Sequence, residues 1–124
     1  MDKLKVLIVD DEMELVETLV ERLTLRGIKA KGLSTGRDAV EVMRKDSFDV
    51  VLLDVKMPGM DGIQVLSSIM IDNPKQKVIL LTGHGSSQDE HKGMELGAYD
   101  YLMKPVNIVD LLGILERATG RELQ

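Results

Sequence analysis

Three times the chain runs through four consecutive aliphatic residues: Val6-Leu7-Ile8-Val9, Val50-Val51-Leu52-Leu53 and Val78-Ile79-Leu80-Leu81. Runs with no polar break suit strands buried on both faces, whereas a strand with one wet face alternates. Between the runs the period changes. Met13, Val16, Leu19, Val20 and Leu23 recur at the spacing of one helix face, and Gly27 supplies a stop. Ala39, Val40 and Met43 mark a shorter helix after Ser34-Thr35-Gly36. Ile63, Leu66, Ile69 and Met70 mark a third, closed near Asn73-Pro74. Ile28 to Leu33 alternates weakly, as an edge strand does, and the second buried run starts at Phe48. Residues 86–96 read as a helix poor in apolar residues, and Tyr99 to Met103 as the last strand. Pro105 to Ala118 reads as the last helix, with Ile108, Leu111, Leu112 and Leu115 on one side.

Five strands alternating with five helices predict an α/β fold: a doubly wound parallel sheet with right-handed crossovers and helices on both faces. A chain of 124 residues fits a single domain, residues 1–124. Open sheets of this type bind ligands beyond the carboxyl ends of their strands, where the winding reverses. The residues that follow each buried run are therefore the candidates for chemistry.

The first run ends in Asp10-Asp11, the second in Asp54, the third in Thr82, and the last strand in Lys104-Pro105. Taken alone, Asp10-Asp11-Glu12 is explained as the acidic start of a helix, and Asp54 as the start of a turn. Along one edge of a parallel sheet they would meet. Three carboxylates in one pocket raise one another's pKa values unless positive charge offsets the repulsion. Lys104 supplies one charge. The ligands are hard oxygens and neither histidine has a place among the strand ends, so the natural ion for the remainder is Mg²⁺. A hydroxyl and an ammonium beside such a metal make the other half of a phosphoryl site, in which Asp54 is the carboxylate nucleophile.

Composition narrows the partners. The chain has no Cys, which removes disulfides, thiol catalysis and thiolate metal sites. Its formal net charge of -5 argues against direct binding of nucleic acid. No apolar run is long enough to span a bilayer, and Met-Asp-Lys at the start lacks the apolar region of a signal peptide, so the expected location is cytoplasmic. Aromatic residues make up only 2%, so the core is aliphatic and a flavin would find little to stack on.

Four pieces occur in order, each at a predicted strand end: Val9-Asp10-Asp11-Glu12, Leu53-Asp54-Val55-Lys56-Met57-Pro58-Gly59-Met60-Asp61-Gly62, Leu81-Thr82-Gly83-His84, and Gly97-Ala98-Tyr99-Asp100-Tyr101-Leu102-Met103-Lys104-Pro105. Over essentially its full length the chain resembles a response-regulator receiver domain, the phosphoacceptor of two-component signalling. The resemblance implies a flavodoxin-like sheet in strand order 2-1-3-4-5. It implies that Asp54 accepts a phosphoryl group from a histidine kinase or phosphotransfer protein, and that a downstream effector protein or domain reads the result. By the same resemblance Asp11 binds Mg²⁺ directly, Asp10 largely through water, and the Lys56 backbone carbonyl is a further ligand. Thr82 and Lys104 hold the phosphoryl oxygens, and the Lys104-Pro105 bond is cis. Tyr101 is the aromatic switch whose ring turns inward as Thr82 moves toward the phosphate. Lys56 and His84 stand where family members tune phosphate lifetime. Such a domain is a switch that assists its own phosphorylation and dephosphorylation rather than an enzyme, standing alone or forming part of a longer regulator.

One segment departs from the family pattern. Glu90 and Gly93 occupy places where the fourth helix of receivers offers small apolar residues, leaving Met94 and Leu96 as anchors and predicting a marginal, mobile helix. Asp61 is a candidate cap for the third helix. Two rivals are weaker. An aspartyl-phosphate phosphohydrolase usually carries a second Asp two residues after its nucleophile, where this chain has Lys56. A flavodoxin-like electron carrier needs a Ser/Thr/Gly-rich phosphate loop after the first strand, where this chain has acids.

Overall fold

A computed structural model describes residues 2–57, 59–83 and 85–123. Pro58 of the motif after the second buried run, and His84 with its expected part in tuning phosphate lifetime, lie outside the described residues. The buried runs are the middle of a five-stranded sheet. Its strands are β1 (Lys5–Val9), β2 (Lys29–Leu33), β3 (Val50–Asp54), β6 (Lys77–Thr82) and β7 (Asp100–Met103). The order is β2-β1-β3-β6-β7, and every neighbouring pair is parallel. Counting only the strands of this sheet, that is the 2-1-3-4-5 order of the doubly wound fold. All five residues of β3 are buried, while every residue of the edge strand β2 keeps some exposure. A short antiparallel pair, β4 (Lys56–Met57) with β5 (Met60–Asp61), stands outside the sheet and was not anticipated by the apolar pattern.

Five helices connect the strands: α1 (Met13–Thr24), α2 (Gly36–Lys45), α3 (Gly62–Asp72), α4 (Ser87–Glu95) and α5 (Ile108–Thr119). Side-chain caps set the starts of α2, α3 and α5. The Thr35 hydroxyl accepts from the Asp38 N–H at 3.1 Å, and Asp61 Oδ1 accepts from the Ile63 N–H at 2.9 Å. The last helix begins three residues later than the expected start at Pro105. Asn107 Oδ1 accepts from the N–H groups of Val109 and Asp110, so the helix starts after Asn107 rather than at Pro105. The first helix also differs from expectation. Met13 opens it 48% exposed, so the buried stripe is Val16, Leu19 and Leu23. The helix closes at Thr24, and Gly27 completes the following turn with φ +78°.

Two aliphatic cores form, one on each face of the sheet. Val6, Ile8, Val50, Leu52, Ile79 and Leu81 point toward α1 and α5. Leu7, Val9, Val51, Leu53, Val78 and Leu80 point the other way, toward α2 and α3. Alternate strand residues facing opposite sides is what the two-residue period requires. The fourth helix joins the second core with a single buried residue, Gly93. Met94, expected to anchor it, is 42% exposed. The anchor is the missing side chain: a Cβ at Gly93 would come within 2.2 Å of Leu80 Cδ1, so a larger residue lies this close to β6 only if Leu80 shifts.

Candidate functional site

The strand registers bring the predicted residues to one edge. Val9 pairs with Leu53, Asp54 with Leu81, and Thr82 with Met103. Asp10 and Lys104 are each the next residue along their strands. The edge is held by main-chain bonds: the Asp10 N–H donates to the Leu33 carbonyl at 3.1 Å, and the Lys104 N–H to the Thr82 carbonyl at 2.7 Å. The Lys104-Pro105 bond is cis.

Three carboxylates gather there. Asp10, Asp11 and Asp54 each present an oxygen, and these oxygens lie within 4.8 Å of one another. Asp10 is fully buried and Asp54 is 5% exposed, whereas Asp11 faces solvent. Lys104 Nζ stands among them, 2.8 Å from Asp10 Oδ2 and 3.5 Å from Asp54 Oδ2. It also reaches Glu12 Oε1 at 2.7 Å, a partner that the sequence reading treated only as part of an acidic run. Backbone donors complete the arrangement. The Glu12 N–H donates to Asp10 Oδ1 at 2.9 Å, and the Lys56 N–H donates to Asp54 Oδ1 at 3.2 Å.

The loop after β3 is pressed against the site by another closely packed glycine. A Cβ at Gly62 would meet the Asp54 carbonyl oxygen at 2.4 Å and Val55 Cα at 2.6 Å. These are backbone atoms, so α3 can begin this close to Asp54 only with glycine at its first position. An open cleft of ≈ 890 Å³ results, with Asp11, Glu12, Asp54, Lys56, Asp61 and Lys104 in its wall.

Electrostatics follow from burial and company. Desolvation pushes the Asp54 carboxyl up to about 6; the Lys56 N–H pulls it back, the Asp10 charge raises it and Lys104 lowers it. Burial alone would weaken the Lys104 ammonium. Its hydrogen bonds to Asp10 and Glu12, with the Asp10 and Asp54 charges, outweigh that and hold its pKa above the ordinary lysine value. One lysine thus serves three carboxylates, and Asp11 has no cation assigned to it by any of these contacts. The donor set of hard oxygens, two buried and one open to water, suits a divalent cation that keeps part of its hydration shell.

Two predicted residues stand somewhat apart. Thr82 is fully buried at the end of β6, and its hydroxyl donates to Glu90 Oε2 at 2.8 Å rather than to a residue of the acidic cluster. Tyr101 is 41% exposed. Glu90 was missed as a site neighbour; the signal available was its unusual polarity at a sheet-facing helix position.

Known proteins share both pattern and fold. The response regulator receiver domain family matches residues 6–116. The transcriptional regulatory protein CpxR of Escherichia coli is 40% identical over 124 residues, covering 97% of this chain and 53% of its own length. The transcriptional regulatory protein PcoR of the same species is 35% identical, covering 94% of this chain and 54% of its own. The chain therefore spans about half the length of these relatives. Among solved structures, a response regulator receiver domain protein from Clostridium thermocellum superposes with a TM-score of 0.90 at 32% identity, covering 95% of each chain. A CheY-like receiver domain protein from Methanospirillum hungatei gives 0.91 at 28% identity, covering 96% of this chain and 95% of that one. With the family pattern running through nearly all of it, and with the acidic cluster at the expected strand ends, the chain belongs to the response regulator receiver domain family. Its acidic cluster is of the kind that forms the phosphoacceptor site of a signalling domain, not the active site of a turnover enzyme. Among the described residues no helix is long and apolar enough to cross a membrane.

Proposed function

We propose that residues 1–124 act as one cytoplasmic receiver unit in which Asp54 accepts a phosphoryl group from the phosphohistidine of a histidine kinase or phosphotransfer protein. The observation that carries this reading is the position of Asp54: 5% exposed, within 4.8 Å of carboxylate oxygens of Asp10 and Asp11, and 3.5 Å from the Lys104 ammonium. In the transfer, a carboxylate oxygen of Asp54 attacks phosphorus. The new P–O bond forms as the P–N bond breaks, and the bonding pair leaves on the histidine nitrogen. Without a metal the carboxyl sits at about 6, raised by burial, so the group is already mostly ionised at neutral pH. Lys104 turns from Asp10 and Glu12 to a phosphoryl oxygen, and Thr82 donates its hydroxyl to another. Hydrolysis reverses the state: water attacks phosphorus, the P–O bond to Asp54 breaks, and the carboxylate is regenerated.

Asp10, Asp11 and Asp54, with the Lys56 carbonyl, would hold Mg²⁺. That ion supplies charge neutralisation for the phosphoryl oxygens. Phosphorylation then draws Thr82 toward the site, Tyr101 turns inward, and the surface of α4, β7 and α5 presents a changed face to a downstream effector protein or domain. Lys56, in the cleft wall two residues from Asp54, tunes access of the hydrolytic water. The test is chemical. After incubation with acetyl phosphate and Mg²⁺, borohydride reduction of the acyl phosphate should convert Asp54 to homoserine, located by peptide mass spectrometry. Conversion at a different residue would move the acceptor.

A further inference from the structure

The Thr82 hydroxyl, at the same strand edge, donates to a residue outside the acidic cluster. Its acceptor, Glu90 Oε2, lies 2.8 Å away in the first turn of α4. The contact belongs to a matched ridge. Leu80 and Thr82 are two apart on β6 and face the same side, and Glu90 and Gly93 are three apart on α4 and share a helix face. Gly93 rests on Leu80, where a Cβ would come within 2.2 Å of Leu80 Cδ1. That close approach sets the height of the helix over the strand, and Glu90 then reaches the strand end. Helix and hydroxyl are therefore coupled: the bond holds the hydroxyl on the α4 side.

We propose that Glu90 is a positioning residue that latches Thr82 in the unphosphorylated state, so that the hydroxyl must leave the Glu90 carboxylate before it can donate to a phosphoryl group on Asp54. The latch rests on the reading of Asp54 as acceptor. A hydroxyl has one proton to give, so it serves the carboxylate or the phosphoryl oxygen, not both. Hydrogen bonds to a charged acceptor are among the stronger ones, and the latched form is favoured accordingly. Phosphorylation competes for the same proton and frees the first turn of α4. The position that breaks the usual apolar pattern thereby acquires a role: it ties the signal to the first turn of α4.

The test is a set of four variants phosphorylated with acetyl phosphate and Mg²⁺, with rates read by intact mass and folding checked by circular dichroism. Glu90→Ala should raise the phosphorylation rate about tenfold, the size expected when a charge-assisted bond no longer holds the inactive arrangement. Glu90→Gln, which keeps an oxygen acceptor without the charge, should fall between Glu90→Ala and the unaltered protein. In a Thr82→Ala background the Glu90→Ala change should have no effect, because no hydroxyl remains to be held. A gain of equal size in that background, or no gain from Glu90→Ala or Glu90→Gln in folded protein, overturns the latch and leaves Asp54 as acceptor. No magnesium-dependent phosphorylation of the unaltered protein overturns both. Should Glu90→Ala fail to fold, the near-isosteric Glu90→Gln carries the comparison alone.

Discussion

Helices α1 and α4 lie over opposite faces of the same sheet, yet they are held in different ways. The first buries Val16, Leu19 and Leu23 in the core, each no more than 3% exposed. The fourth buries only a glycine, leaves Met94 42% exposed, and adds the Thr82–Glu90 bond. Three buried aliphatic side chains contribute several kcal/mol, whereas one hydrogen bond contributes about 1–3 kcal/mol net. The contrast separates a helix that fixes the fold from one that can shift at low cost. A switch needs both: a rigid frame for the acids and a lightly held element beside them.

The contrast can be broken or sharpened by substitution. Leu19→Ala in α1 should lower stability by about 3 kcal/mol, read from urea denaturation, because the cavity lies in a closed core. Next comes the edge between the helices, where the metal-free acids repel one another. Asp54→Asn should raise stability by about 2 kcal/mol at pH 7.5 without magnesium. The sign follows from the raised carboxyl. A group at about 6 when folded and 3.8 when unfolded binds its proton more tightly in the folded state. Its ionisation therefore destabilises the metal-free fold as pH rises from 3.8 to about 6, fully so above that. The gain from Asp54→Asn should shrink between pH 6 and pH 4, and a gain constant over that window would remove the crowding argument.

Magnesium should reverse that strain. At ten times its Kd it should add about 1.4 kcal/mol to the unaltered protein, seen as a higher Tm, and Asp11→Asn should lose most of the shift. Gly93→Ala should cost about 1 kcal/mol. The new methyl must displace buried Leu80, which outweighs the helix propensity that alanine restores. Smallest is Met94→Ala, below about 0.5 kcal/mol, because that side chain leaves little behind. Amide exchange provides the companion measurement: residues 89–96 should exchange faster than α1. Equal protection would erase the difference between the two helices.

The frame was readable because the signals were local. A four-residue aliphatic run is a buried strand wherever it occurs in an alternating pattern, and the residue after it then falls on the functional edge. Asp10, Asp11, Asp54 and Lys104 met as their spacing implied. What escaped depended on side-chain reach. Glu12 is adjacent to the acidic pair, but its contact with Lys104 spans ninety-two positions and no pattern announces it. The Thr82–Glu90 bond requires the height of α4 over β6, which Gly93 sets and which apolar spacing leaves open. The start of α5 was misjudged because Pro105 favours a first helical position in general, while here Asn107 supplies the cap. The pairing of Lys56–Met57 with Met60–Asp61 was invisible because two-residue strands carry no period.

The most direct measurement is the intact mass of the protein after acetyl phosphate treatment, with and without magnesium, alongside Asp54→Asn. The account predicts a gain of one phosphoryl group that requires magnesium and is absent from Asp54→Asn. A full gain in the substituted protein, or one indifferent to magnesium, would contradict the account.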